Sequence, residues 1–207
     1  RNIRSSKKPL LERLDEFPDS ILVAGCQRSG TTMLSRLITK SEGMQEFQFS
    51  HDDELDAALI LSGNQSWTPK GRYCFQTTFL NNSFHEYLNH VDFRLIWVLR
   101  NPHSVIYSML HNWRRGALNR LFKSCGSTQL TADKKKWFDI LGGRVFSQTY
   151  KACLSYNAKM EQLVYLKQNM PSNRLMIIDY NDLVKNKNKA LKTVCRFVGL
   201  EFQDHHS

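Results

Sequence analysis

The segment that most constrains this chain is Ile21-Leu22-Val23-Ala24 running into Gly25-Cys26-Gln27-Arg28-Ser29-Gly30-Thr31-Thr32. Its first four residues are apolar on both faces, as a strand in the middle of a buried sheet must be. Beyond the hydroxyls, Met33, Leu34, Leu37 and Ile38 repeat with a helical period that ends near Gly43. A strand that turns through glycines into a helix presents free backbone N–H groups at the positive end of the helix dipole. Such a turn binds anions.

The glycine spacing matches the nucleotide-triphosphatase pattern G-x-x-x-x-G-K-[ST], and Thr32 supplies its last hydroxyl. The Lys of that pattern is replaced by Thr31, and the cation comes from Arg28 instead. Chemistry on a magnesium triphosphate needs the Lys, and also a magnesium held in part by an acidic residue at a neighbouring strand end. The strongest second strand, Phe93 to Arg100, ends in the opposite charge. The pattern therefore suits two separate anions, one near Arg28 and one near Arg100.

Arg100 is followed by Asn101-Pro102, a capping Asn and a Pro at the first helical position. A guanidinium at a strand end can grip a phosphate bidentately with the helix N-terminus beside it. Ser104 and Ser108 lie one turn apart on the following helix, so a hydroxyl on that face can add a bond.

The rest of the chain reads as further strands and helices. Pro9 to Leu14 has the pattern of a short amphipathic helix, Asp52 to Leu61 of a helix with an acidic first turn, and Phe79 to His90 of another. Arg72 to Thr77 and Leu175 to Ile178 read as strands. Residues 114–143 are basic and partly loop, a helix runs from about Phe146 to Asn169, and a last one from Asp182 to Val198. Strands separated by helices predict an α/β fold, a three-layer sandwich with a central parallel sheet covered on both sides, in one domain spanning residues 1–207 with a frayed basic lead-in over 1–8.

Composition narrows the partners. Lys and Arg number 29 against 19 Asp and Glu, a formal charge of +10, which points to an anionic partner. No apolar run approaches the roughly 18 residues of a membrane helix. The sequence begins Arg1-Asn2-Ile3-Arg4, without an initiator Met or a signal-peptide apolar region, and an upstream anchor or signal stays open. Five scattered cysteines without a C-x-x-C pair favour idle buried thiols in a reducing, cytoplasmic compartment, with no metal site expected. A basic nucleic-acid-binding domain is a rival reading and a degenerate nucleotide kinase another. The first would place exposed aromatics among its cations on one face. The second is opposed by Thr31 and Arg100.

Taken with its spacing, the chain resembles the sulfotransferases that use 3′-phosphoadenosine 5′-phosphosulfate. Their 5′-phosphosulfate loop is matched by Arg28-Ser29-Gly30-Thr31-Thr32, and their 3′-phosphate motif by Arg100-Asn101-Pro102 with Ser108. A looser match runs from Ile178 to Val184 and on to Phe197-Val198-Gly199-Leu200, so that the resemblance spans residues 20–202. It implies a P-loop nucleotide-hydrolase-like form of the α/β sandwich, and metal-independent, in-line transfer of a sulfuryl group to a hydroxyl or amine on a small-molecule or glycan acceptor, with no nucleic-acid partner. It also implies that Arg28 stabilises charge on the bridging oxygen, that Ser29, Gly30, Thr31 and Thr32 hold the 5′-phosphate, and that Arg100 and Ser108 read the 3′-phosphate. One branch of the family carries a Lys-Thr-His segment with a catalytic Lys and a His base, where this chain has Gln76-Thr77-Thr78. Other branches draw a Glu from the segment after the loop helix. Glu46 is the first candidate for the base and His51 the second, with Glu42, Asp52, Asp53 and Glu54 competing and His111 more distant. Tyr156-Asn157, Trp113 and Arg114-Arg115 are further candidates to border the site.

Overall fold

The computed structural model describes residues 8–47 and 52–203. Five strands form one parallel sheet: β1 (Ser20–Gly25), β2 (Met44–Gln45), β3 (Arg72–Gln76), β4 (Phe93–Leu99) and β5 (Leu175–Asp179), in the spatial order β2-β3-β1-β4-β5. All six residues of β1 are buried, which is why its sequence is apolar without alternation. Side chains still alternate between the two faces. Leu22, Ala24, Tyr73, Phe75, Leu95 and Trp97 pack on one side with Phe17, Leu163 and Leu166. Ile21, Val23, Cys74, Ile96 and Val98 pack on the other with Leu34, Ile38, Leu191 and Val194.

Helices cover both faces: α1 (Thr31–Thr39), α2 (Asp53–Leu61), α3 (Pro102–His111), α4 (Arg115–Ser124), α5 (Ala132–Leu141), α6 (Gln148–Asn169), α7 (Tyr180–Lys185) and α8 (Lys187–Val198). Helices α1 and α8 lie on one face and α2 and α6 on the other, giving three layers. A third apolar cluster, with Cys26, Val105, Met109, Leu118, Leu121 and Ala152, fills the space under the loop after β1. From β1 the chain returns through β3 on one side and β4 on the other, so the strand order reverses at β1. A crevice opens there at the carboxyl ends of the strands. The pairing of Gly25 with Val98 brings the loop after β1 and the loop after β4 to that same edge.

Asn101 caps α3 as expected, its side chain accepting from the N–H of His103 at 2.9 Å and of Ser104 at 3.4 Å. Four expectations are corrected. The Pro9–Leu14 segment forms turns and a short 3-10 helix over Leu14–Glu16, its main-chain bonds closing on the third residue back, Leu14 N–H to the Leu11 carbonyl and Phe17 N–H to that of Leu14, both at 2.9 Å. Phe79 to His90 is helical only as a 3-10 segment over Phe84–Asn89, after the poor helix formers Asn81, Asn82 and Ser83. The last helix is two, divided at Asn186, whose φ of −123° is not helical. Residues 114–143 hold two α-helices, α4 and α5, around a 3-10 turn.

Candidate active site

Strand β1 ends on Gly25, at φ +150°, where a Cβ would stand 2.7 Å from the carbonyl oxygen of Val98. Glycine is what lets β1 and β4 close on each other there. The loop then turns through Arg28, at φ +73°, a conformation that costs a non-glycine residue of order 1–3 kcal/mol and that clusters at functional sites. Gly30, at φ +94°, starts α1 without a side-chain cap, which leaves the first N–H groups of the helix turned to the loop. A Cβ on Gly30 would meet the Tyr180 ring at 2.4 Å.

The two arginines meet at this loop. Arg100 donates through Nη1 to the main-chain carbonyl of Arg28 at 2.9 Å, and its guanidinium carbon lies 4.3 Å from the centre of the Tyr180 ring. Arg28 donates through Nε to the hydroxyl of Ser108 at 3.1 Å. Residues from both sequence motifs are thus in direct contact. Thr32 donates to Gln76 Oε1 at 2.9 Å, and Gln76 Nε2 donates to the Thr31 hydroxyl at 3.1 Å, so the amide of Gln76 fixes both loop hydroxyls. Ser29 is buried, and its hydroxyl has no hydrogen-bond partner among the described residues. A buried hydroxyl beside uncapped N–H groups is a set of donors that fits an anion.

A cleft of about 230 Å³ opens at this point, lined by Gln27, Arg28, Gly30, Thr31, Thr32, Glu54, Gln76, Arg100 and Trp113. Glu54 is therefore the carboxylate brought to the loop, carried on the first turn of α2. Gln27 Nε2 lies 3.4 Å from its Oε1. Burial pushes the Glu54 carboxyl above the ordinary carboxylate range, against the opposing pull of Thr78, the Lys159 ammonium and the Gln27 amide.

Glu46 is exposed and lines a neighbouring pocket of about 290 Å³ with Arg36, Lys40, Phe47, Asp53 and Cys74. The two pockets share Gln76. A bidentate pair, Arg36 Nε to Asp53 at 2.6 Å and Nη2 at 3.2 Å, joins α1 to α2 over that second pocket. His51 lies outside the described residues. His111 is exposed and stacks on Tyr107, with ring centres 4.3 Å apart. Trp113 does border the cleft, and Tyr156 reaches it indirectly, donating to the Arg100 carbonyl at 3.0 Å. Tyr180, Gln76 and Lys159 are the residues that sequence reasoning passed over. Gln76 had a signal in its place in the segment where a Lys was sought, and Tyr180 in the looser match from Ile178 to Val184, whereas Lys159 had none.

A parallel sheet with an N–H-lined loop at its switch point, and two arginines gathered on one cleft, makes this a P-loop-like α/β protein. Residues 18–207 match the sulfotransferase domain family, and the chain belongs to that family. Among solved structures it is similar to the sulfotransferase domain from the curacin biosynthetic pathway, with a TM-score of 0.61, 15% identity, and coverage of 92% of this chain and 77% of that one. Mouse sulfotransferase SULT7A1, complexed with PAP, gives 0.54 at 17% identity over 97% of this chain and 67% of that one. Retinol dehydratase, in complex with androsterone and inactive cofactor PAP, gives 0.53 at 14% identity over 95% and 64%. At these identities the likeness is one of fold. No curated protein matches the sequence. Among the described residues, no helix is long and apolar enough to cross a membrane.

Proposed function

We propose that this domain takes the sulfuryl group of 3′-phosphoadenosine 5′-phosphosulfate and delivers it to a hydroxyl or amine on a small-molecule or glycan acceptor. The observation that carries this reading is the convergence of Arg28, Arg100, the α1 N-terminus and Glu54 on one cleft. The PAP bound in mouse SULT7A1 and in retinol dehydratase supports the same choice of donor, and androsterone in the latter supports a small acceptor.

In this reading the loop N–H groups of Gly30, Thr31 and Thr32, with the Ser29 hydroxyl, hold the 5′-phosphate, and Arg100 with Ser108 holds the 3′-phosphate. The bound donor supplies an activated sulfuryl group on a phosphoanhydride oxygen. Arg28 is placed to stabilise negative charge on that bridging oxygen. Gln76 orients the two threonine hydroxyls, and Tyr180 backs the Arg100 guanidinium. Glu54 accepts the proton from the acceptor hydroxyl or amine. It borders the same cleft as the loop, whereas Glu46 faces the adjoining pocket. That adjoining pocket, joined to the first at Gln76, is the approach for the acceptor.

The test is thermal. 3′-Phosphoadenosine 5′-phosphate is expected to raise the melting temperature without magnesium, and ATP with magnesium to raise it far less. Stabilisation by ATP-magnesium alone would overturn the assignment of donor.

A further inference from the structure

Lys159 lies on α6, 2% exposed, and is not among the residues lining the cleft. Lysines are almost never buried without a partner, because an ammonium taken out of water costs several kcal/mol. Its described hydrogen bond runs from Nζ to the carbonyl oxygen of Thr78, at 3.1 Å. A single carbonyl dipole is a small return for a buried cation.

That carbonyl is shared. Gln27 Nε2 donates to it as well, at 2.8 Å, and the same Nε2 lies 3.4 Å from Glu54 Oε1. Lys159, the Thr78 carbonyl, Gln27 and Glu54 therefore form one polar chain. It crosses from α6, through the turn after β3 and the loop after β1, to the first turn of α2. We propose that Lys159 is a positioning residue for Glu54, its buried ammonium supplying the counter-charge that keeps the Glu54 carboxylate ionised and, through Thr78 and Gln27, fixed at the edge of the cleft. The inference rests on Glu54 as the group that takes the acceptor proton.

The electrostatic directions agree with the geometry. Burial drives the Lys159 ammonium to a lower pKa, while Cys125, Cys26 and Glu54 hold it up. Burial drives the Glu54 carboxyl upward, and Lys159 is among the groups that hold it down. The groups facing Glu54 are Lys159 of α6, Thr78, Gln27, Asp52 at the cap of its own helix, and the Tyr87 phenol. Arg28 and Arg100 lie across the cleft. Those facing Lys159 are Glu54 and the thiols of Cys26 and Cys125. Among the groups that face Glu54 from its own side of the cleft, Lys159 is the buried cation, acting beside the hydrogen-bonding pull of Thr78 and Gln27.

The experiment is a pair of titrations on the whole chain. With 13C-labelled glutamate, the Glu54 carboxyl carbon is followed against pH and assigned by its absence in Glu54→Gln. In Lys159→Met its proton affinity should rise at least tenfold, and Lys159→Arg should restore most of the original value. With 15N-labelled lysine, the Lys159 ammonium in Glu54→Gln should lose its proton at lower pH by a similar factor, since coupling between two sites is reciprocal. A lysine serving only as a strut would move neither titration, and two unmoved titrations in folded protein overturn the proposal. If Lys159→Met does not fold, the Glu54→Gln titration decides alone. Binding of 3′-phosphoadenosine 5′-phosphate, measured in parallel, reads the donor assignment separately. Its absence in the unaltered protein would defeat that assignment and leave the two titrations to be judged on their own.

Discussion

The Arg100 guanidinium donates to the main-chain carbonyl of Arg28 at 2.9 Å, so the cation at the end of β4 grips the backbone of the loop that follows β1. The bond ties the two motifs directly together. It also aims one edge of the guanidinium at the loop and leaves other N–H groups for a phosphate, as a planar five-donor fork allows.

Arg100→Ala should weaken 3′-phosphoadenosine 5′-phosphate by roughly 10- to 100-fold, the worth of one charge-assisted contact. Adenosine 5′-phosphosulfate, which lacks the 3′-phosphate, should lose much less. Calorimetric titration of both ligands checks this, and equal losses would remove the 3′-phosphate role from Arg100.

Gly30→Ala should destabilise the fold by about 1–3 kcal/mol, for two separable reasons. The new Cβ enters the Tyr180 ring, and φ at +94° strains any L side chain. Tyr180→Ala removes the first cause and not the second. A double-mutant cycle by urea unfolding should therefore show partial rescue, and full additivity would mean that the ring moves aside freely.

Glu54→Gln should lower kcat by roughly a hundred- to ten-thousandfold while leaving affinity for the bisphosphate nearly intact. Glu46→Gln should change kcat much less, because Glu46 lines the adjoining pocket. If the two effects were reversed, Glu46 would be the base.

Stability should carry a trace of Glu54. Its folded pKa is raised, so the folded chain binds that proton more tightly than the unfolded chain. Stability from this group is fully present below the unfolded carboxyl range, and it is lost as pH rises through the higher folded pKa. Glu54→Gln should flatten that decline in a melting-temperature profile, and an identical slope in both proteins would contradict it.

Thiol reactivity should follow burial. The Cys26 thiol is pushed up to about 12 by its surroundings, and Cys74, Cys125 and Cys195 are raised by the same cause. Cys153 is half-exposed. At pH 8 the native protein should give one fast equivalent with a disulfide reagent and five after unfolding.

How much of this was open to sequence reading depended on whether the signal was local. The β1 strand, the Gly25 to Thr32 loop and the Asn101-Pro102 cap are local patterns, and the structure has each where its residues imply it. Strand β2 has two residues, Met44 and Gln45, too few for any period to register. The 3-10 segment over Phe84–Asn89 and the break at Asn186 are decided by propensities that differ by tenths of a kcal/mol. Glu54 was one carboxylate among several, since the turn of α2 that faces Gln27 is set by packing against the sheet. Lys159 reads as a polar residue of a long helix. Only the alignment of α6 beneath Thr78 separates it from the exposed lysines of α5 and α8.

Helix α6 meets the site at three points. Tyr156 donates to the Arg100 carbonyl, Lys159 to that of Thr78, and Gln162 to that of Asn81. The donors recur every third residue: Tyr156 holds the segment after β4, and Lys159 and Gln162 both hold the turn after β3. The helix thus works as a ruler laid under the active site. A single residue inserted before Tyr156 would turn these three donors by about 100° and release both segments together. Such a protein would keep both motifs, letter for letter, and lose the place where they meet.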